Sequence, residues 1–503
     1  MKNNAVRVIK NSIIYGMGNV SLKIIGLILL PTFLSEFSTK DYGIYGMMEI
    51  SAQVVIAIFG FGLYNALNRF YYDRDYSYLK KQMVFTVIAS LLALNSFFFI
   101  ITNSFSSVFA GFLFDDSARF YLINLLFISS GLEILFTIPL NLLKLQEKPV
   151  YYSAILILKL VITFFLTIYF VVYLKHNVEG IYEAQIAGLS TVLVISSFYI
   201  LRNSEFKFNF EILRIFFPYS APLILSSISG VFLVVMDRYM IKMLLGLSEA
   251  GIYSLGFKLA GSIKVFVITS IQIAVTPYIF KTMYEPDCKE KYSKILTYTT
   301  FLIMIAVMIV SFFSYEFIEL MVHKFAKDAG YLEAYSVIPV ICYSALFAMP
   351  VYIASFALQI IKKTKIIAFT MFLISLINVV LNYIFIKEIG ISGAALATLV
   401  SQIIFWIILD RTGRKEYNIP VEFRKLFLVF IWSLLTIGAS YFINNIDLIP
   451  RIIMKLSILS VTPIILKYFG FFEKHELEEI RKIWNQWKNP LDWKVNIKRL
   501  MQK

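Results

Sequence analysis

The sequence predicts an all-α polytopic membrane protein with about 14 transmembrane helices. Three observations carry this. Of 503 residues, 59% are hydrophobic and only 16% charged, against about a quarter charged in a soluble chain. The mean hydropathy is +0.75. Apolar runs long enough to cross a bilayer recur from end to end, without the apolar–polar alternation of β-barrel strands.

The expected spans are 12–34, 42–66, 80–102, 118–143, 150–174, 180–201, 213–236, 249–280, 295–315, 332–360, 366–386, 390–409, 425–443 and 449–470. Lys and Arg gather in alternate loops, about three times as many at the end holding both termini as at the other. Positive loops face the cytoplasm, so both termini are expected there and the span count is even. The same distribution accounts for the net charge of +15 without nucleic acid. The basic loops Arg69–Lys81, Lys281–Lys294 and Arg411–Lys425 read as topology signals facing anionic membrane lipids. The loops at the opposite end are too short for a domain, the longest being Asn103–Ser117 and Glu316–Tyr331. The first apolar run is too long for a cleavable signal peptide and lacks a small-residue cleavage site. In the basic tail, Ile480, Ile483, Trp484, Trp487 and Leu491 recur at helical spacing, as in an amphipathic helix on the membrane surface. Cys288 and Cys342 give no disulfide framework, and no histidines stand at ligand spacing, so neither a metal site nor a cofactor is expected.

Two internal matches divide the chain. Asp41-Tyr-Gly-Ile-Tyr45 returns as Glu249-Ala-Gly-Ile-Tyr253. Gly180-Ile-Tyr-Glu-Ala-Gln-Ile-Ala-Gly-Leu189 returns as Gly390-Ile-Ser-Gly-Ala-Ala-Leu-Ala-Thr-Leu399. The two offsets differ by only two positions, which implies a duplicated six-span unit. An N-terminal six-helix lobe is expected over 1–205 and a C-terminal one over 206–412. Two additional helices follow over 413–470, then a cytoplasmic amphipathic tail over 471–503. An even number of spans per unit gives a parallel repeat, with a pseudo-two-fold axis along the membrane normal. Small residues every fourth position, Gly180, Ala184 and Gly188, and Gly390, Ala394 and Thr398, suit close helix packing.

Polar residues at membrane depth are the candidate site residues, because an intramembrane lysine costs about 2.5–3.5 kcal/mol or more. In span eight, Gly251, Ser254, Lys258, Ser262, Val265, Thr269, Gln272 and Thr276 fall within about 40° of Lys258 at 100° per residue. This polar stripe should face a wet cavity or other helices. Lys264 lies about 120° away, on another face. Span one places Asn19 with Lys23, span two Glu49 with Gln53, span four Glu133, span five Lys159, and span eleven Asn378 with Asn382. Asp237 and Arg238 close span seven and are expected to form a local ion pair. The Asn, Ser and Thr positions also suit hydrogen bonding between helices, and the charged ones suit either cavity lining or buried pairs. Walker A, G-x-S-x-G and H-E-x-x-H patterns are absent, and no loop is large enough for a nucleotide domain, so an enzyme or primary pump is not expected.

The chain resembles the Wzx-type oligosaccharide flippases of the polysaccharide transporter family, in the MOP superfamily with MATE exporters. The resemblance rests on Asn11-Ser-Ile-Ile-Tyr-Gly16, the Asp41 and Glu249 motifs with Asp237-Arg238, and Asn378-Val-Val-Leu-Asn-Tyr383 leading to Gly390-Ile-Ser-Gly-Ala394. It implies a MATE-like fold with two lobes around a cavity that opens alternately to each side. The implied cargo is an undecaprenyl-pyrophosphate-linked oligosaccharide, moved to the outer leaflet of a bacterial cytoplasmic membrane for surface polysaccharide synthesis. Glycosyltransferases and a glycan polymerase would be partners. An anionic cargo calls for cavity cations, here Lys258, Lys23, Lys264 and Lys159. Glu49, Glu133 and Asp237 are the candidates for proton or sodium coupling. Asn19, Gln53, Arg238, Ser262, Thr269, Gln272, Asn378 and Asn382 are the candidates for polar cavity lining. A cation-coupled drug exporter is the alternative; it favours acids over bases on the cavity faces.

Overall fold

The computed structural model describes residues 25–473 except Lys362, together with Glu476 and Glu478. Asn19, Lys23 and the expected tail helix around Ile480 to Leu491 lie outside the described residues. Within them every expected span is helical and no strand occurs. There are 12 helices long and apolar enough to cross a membrane. Helix Phe210–Leu245 fills the place of the seventh span, and Ile25–Glu36 that of the end of the first. The chain is an all-α multi-pass membrane protein. The end bearing the basic loops is called the basic end below.

Span two, Thr39–Phe59, organises the opposite end. Ser38 caps it: its hydroxyl accepts from the Asp41 amide at 3.2 Å, and Asp41 in turn accepts from the Ser38 amide at 3.1 Å. This reciprocal box satisfies donors that the first helical turn leaves free. Asp328, from the loop before span ten (Ala329–Ile360), adds a carboxylate to the same terminus. It accepts from the Thr39 amide at 3.1 Å and the Thr39 hydroxyl at 2.7 Å. A negative charge is favourable there, where the helix dipole is positive. Tyr331 donates to the carbonyls of Phe37 and Ser38 at 3.2 and 2.9 Å.

Span two then crosses span eight, Leu247–Thr282, backbone against backbone. A Cβ on Gly43 would lie 1.9 Å from the Leu247 carbonyl oxygen, and one on Gly251 would lie 2.1 Å from that of Thr39. These are the glycines of the two repeated motifs. Each repeat thus lays its own glycine on the other's main chain, and no side chain fits between them. Ser51 and Tyr239 share a hydrogen bond of 2.8 Å beside the crossing. Lys242, at the end of span seven, reaches the Phe112 carbonyl at 2.7 Å and the Asp115 carboxylate at 2.6 Å. Loop Asn103–Ser117 therefore has structure of its own: helix Ser106–Phe114 lies in it, with Val108 and Phe112 exposed.

Spans four, five and six pack on one another, as do spans seven, eleven and twelve, and span thirteen (Phe423–Ile443) packs on span nine. Span nine runs from Cys288 to Phe325, well past the expected 315. The sequence turns polar there, but Glu316 and Glu319 have buried partners on span fourteen (Leu448–Tyr468), so the helix continues. Glu316 meets Lys455 at 2.5 Å and Arg451 at 3.0 Å, and Glu319 meets Arg451 at 2.7 Å. Lys455 also donates to the Phe312 carbonyl and to Asn444. Cys288 and Cys342 are both free.

Adding a methyl group at the crossing should be costly, because backbone rather than a mobile side chain stands in its way. Gly251→Ala is expected to destabilise the protein by about 1–3 kcal/mol. Gly261→Ala, where nothing lies within 4 Å, should be neutral; unfolding of the two purified variants in detergent compares them. The Asp328 clamp should also depend on pH. Hydrogen bonds, first from the Thr39 side chain and then from the Gly330 and Thr39 amides, hold its carboxyl below the usual aspartate range. A lowered folded-state pKa contributes stability that is present above the ordinary value and lost as pH falls through the lowered one. Cross-linking between cysteines placed at positions 40 and 329 should therefore weaken only in that acidic range, and Asp328→Asn should remove the dependence.

Candidate functional site

The crossing sets the site. Below Gly43, Tyr45, Glu49 and Gln53 stand a turn apart along one face of span two. Lys258 descends from Gly251 on span eight. Its ammonium donates to the Tyr45 hydroxyl at 3.1 Å, and lies 4.9 Å from the Tyr45 ring centre and 5.9 Å from that of Phe33. Aromatic faces stabilise a cation by about 0.5–2 kcal/mol, which offsets only part of its removal from water. Lys258 is half-buried, so this cage is open rather than sealed.

Arg238 joins from span seven. It is buried, with its guanidinium 4.4 Å from the Phe257 ring centre, and its Nε has no hydrogen-bond partner. Lys258, Arg238 and Glu49 all lie within electrostatic reach of the Tyr42 hydroxyl. That hydroxyl is buried and makes no hydrogen bond, while its ring packs edge-on against Tyr45 and Tyr331. Two cations and one carboxylate thus gather around a cluster of tyrosines beside the crossing.

The other expected residues lie elsewhere. Lys159 is buried against Glu133 at 2.5 Å and sits over the Phe136 ring, a paired charge inside the N-terminal set of helices. Asp237 is not paired with its neighbour Arg238, contrary to the sequence expectation. Its carboxylate accepts from Asn382 at 2.7 Å, Thr398 at 2.5 Å and Tyr253 at 2.9 Å. Asn382 also donates to Asn378 at 2.9 Å, and Asn378 to Ser401 at 3.3 Å. This network is buried among spans seven, eight, eleven and twelve, so both asparagines tie helices together instead of facing open space. The reason for the correction is geometric: neighbours in a helix point about 100° apart, and Asp237 turns toward spans eleven and twelve while Arg238 turns toward Phe257.

The polar stripe of span eight is also interrupted. Residues Lys264–Ile268 form a π-helical turn between helices Leu247–Ile263 and Thr269–Thr282. A π turn takes in one extra residue, which rotates everything after it by about 100°. Lys258 and Ser262 therefore share no continuous face with Thr269, Gln272 and Thr276. Thr269 and Lys264 are exposed, and Ser262 and Gln272 are half-buried. Thr276 bonds Tyr352 of span ten, as does the Gln272 carbonyl at 3.3 Å. Gln53 lines a cavity of about 290 Å³ with Ile224 and Ser227 of span seven.

The Arg451–Lys455 cluster was not singled out from sequence. Its signal was available: two cations at i, i+4 early in span fourteen, and two acids at i, i+3 after span nine.

The structure closely matches a solved lipid II flippase, MurJ, in an inward closed conformation. The TM-score is 0.74 at 16% identity, over 91% of this chain and 99% of that one. It also matches an inward-facing multidrug resistance MATE family transporter of the MOP superfamily, with TM-score 0.63 and 14% identity, over 85% of this chain and 95% of that one. At such identities these likenesses show the fold. In sequence, the chain is 25% identical over 423 residues to an uncharacterized membrane protein of Methanocaldococcus jannaschii, covering 79% of this chain and 96% of that one. A membrane protein of Haemophilus influenzae is 21% identical over 288 residues, 56% of this chain and 68% of that one. The model of one family, described as polysaccharide biosynthesis protein, matches residues 8–283. That span is more than half of the chain and includes both crossing glycines and Lys258; the chain, with the fold of these flippase and transporter structures, belongs to the polysaccharide biosynthesis protein family.

Proposed function

We propose that the protein is a flippase for an undecaprenyl-pyrophosphate-linked oligosaccharide. It moves this cargo from the cytoplasmic to the outer leaflet by alternating access and so serves synthesis of an O-antigen, capsule or exopolysaccharide. The observation that carries the reading is the gathering of Lys258 and Arg238 at the tyrosine cluster, where neither forms an ion pair among the described residues although Glu49 and Asp237 lie within electrostatic reach. A pyrophosphate brings charged acceptors to these two cations, and the tyrosines offer hydroxyls to the first sugar. Membership of the family and the likeness to a lipid II flippase support the same cargo class. A drug exporter for cationic compounds would present acids in place of these cations.

In this reading the two six-span halves rock about the crossing, and the basic end is cytoplasmic, with both termini. Glycosyltransferases supply the lipid-linked unit and a polymerase consumes it. Transport is secondary, driven by a proton or sodium gradient. Of the three acids, Glu133 is occupied by Lys159, and Asp237 offers a buried carboxylate held by the hydroxyls of Tyr253 and Thr398 and the amide of Asn382. Asp237 is therefore the first coupling candidate and Glu49 the second.

Lys258→Ala is expected to abolish surface polysaccharide while the protein still inserts in the membrane. Normal export by that variant at native expression would remove Lys258 from the site. Asp237→Asn keeps the shape of the network but removes its charge. In vesicles it should cost about tenfold or more in gradient-driven transport, equivalent to 1.4 kcal/mol of coupling; an unchanged gradient dependence excludes Asp237, and Glu49→Gln is then the variant to measure.

A further inference from the structure

Span two does not run straight to the basic end. It stops at Phe59, turns through Phe61 (φ 47°) and Gly62 (φ 57°), and restarts as helix Leu63–Phe70. Both turn residues are left-handed. Glycine adopts that conformation freely; a phenylalanine does so only where its surroundings impose it, and such places cluster at ligand clamps and switches.

The turn stands between two hollows. On one side is the cavity of about 290 Å³ that holds Gln53, lined also by Gly60 and Gly62. On the other, a cleft of about 670 Å³ opens between spans three and seven, lined by Phe61, Leu63, Leu94, Leu213, Phe217 and Pro218. The cleft wall has one hydroxyl, on Ser90, and that donates to the Thr86 carbonyl at 2.6 Å, so the wall asks for no polar partner. Helix Lys80–Ser104 of span three enters the membrane at the basic end, which puts Ser90 and Leu94 about 15 and 21 Å along its axis. The cleft thus runs from headgroup level to the middle of a hydrocarbon core about 30 Å thick. At its basic-end mouth stand Arg214 and Glu211, both exposed, on the first turns of span seven. Arg214 makes no ion pair among the described residues.

We propose that this cleft is the loading station of the cargo: the isoprenoid chain lies in it, the phosphate meets Arg214, and the sugar hydroxyls meet Glu211. An apolar wall of this depth fits the first units of a methyl-branched isoprenoid chain held along the membrane normal, and a cation at headgroup level fits its phosphate. The Phe61–Gly62 turn separates this chain from the inner cavity. Beyond it, Gln53, Glu49 and Tyr45 lead up one face of span two to Lys258. The head group can therefore pass inward while the chain remains in contact with lipid. The inference rests on the flippase reading for the identity of the cargo.

The test uses the full protein in vesicles with a photoreactive polyprenyl phosphate, and maps the labelled peptides by mass spectrometry. Label is expected on peptides containing 61–63, 90–94 and 213–218. Leu94→Trp, which fills the cleft, should lower that label about tenfold, or 1.4 kcal/mol of affinity. Leu94→Met, which conserves volume, should leave it unchanged and serves as the folding control. Arg214→Ala should weaken labelling by polyprenyl phosphate but not by a neutral polyprenol carrying the same photoreactive group. Label confined to other spans, or a Leu94→Trp protein that labels as the wild type does, overturns the proposal. A separate assay of lipid-linked oligosaccharide movement keeps the two readings apart. Movement with an unlabelled cleft sinks the loading station alone. A labelled cleft without movement sinks the flippase reading and leaves an isoprenoid-phosphate site.

Discussion

The contact on which the rest of the molecule depends is the crossing of spans two and eight at Gly43 and Gly251. A single methyl group on either would lie about 2 Å from a carbonyl oxygen of the other helix, well inside van der Waals contact. Everything below the crossing inherits its closeness. Tyr45 is two residues past Gly43, and Lys258 is two turns past Gly251, so an ammonium and a phenol that belong to different repeats come within hydrogen-bonding distance. Had the helices been spaced by ordinary side chains, at 8–10 Å between axes, the gap at this level would be wider and Lys258 would lie without its aromatic cage. The repeated Gly-Ile-Tyr thus has different work at each position. The glycines make the crossing. Tyr45 meets the central lysine, and its counterpart Tyr253 turns away to the Asp237 carboxylate.

The charges within the helices follow one physical rule. Removing an ion from water costs several kcal/mol unless a partner repays it. Lys159 with Glu133, and Lys455 and Arg451 with Glu316 and Glu319, are repaid by opposite charge. Asp237 is repaid by three hydrogen bonds. The group near the crossing is treated differently: among the described residues Arg238 has an aromatic face, an unbonded Nε and the Asp237 carboxylate within electrostatic reach but no ion pair, and Lys258 has a neutral phenol. Incomplete compensation is what distinguishes a place that awaits a ligand from one that merely holds helices together.

The sequence carried the helices and their approximate bounds, because a bilayer imposes a length and a hydropathy that single residues cannot hide. It also carried Lys258, whose place on a polar face could be computed from periodicity. Other features depend on information that periodicity lacks. One extra residue in the π turn at Lys264–Ile268 breaks the phase of span eight, and nothing in Lys-Val-Phe-Val-Ile announces it. Whether Asp237 pairs with Arg238 or with spans eleven and twelve depends on which helices are neighbours. The same holds for Lys455, which looks like a costly isolated cation until span nine is placed beside it. The repeats were legible as repeats, yet only the folded chain lays Gly43 on Gly251.

Polar contacts and a buried apolar cluster together close the end opposite the basic loops, and the polar ones include the Lys327 amide on the Leu34 carbonyl at 2.9 Å. Across the crossing the other polar contacts are the Asp328 clamp on Thr39, the two hydrogen bonds of Tyr331, the Lys242 contacts with Phe112 and Asp115, and Ser51 with Tyr239. A hydrogen bond contributes about 0.5–1.5 kcal/mol net, and an exposed ion pair less than about 1 kcal/mol. These bonds rim a buried apolar interface, in which Leu34, Phe37, Ile44 and Met48 lie in one cluster with Leu247, Ile252, Tyr331 and Val337. The capping bonds at the helix end can be exchanged for water one group at a time, whereas the apolar part separates only as a unit.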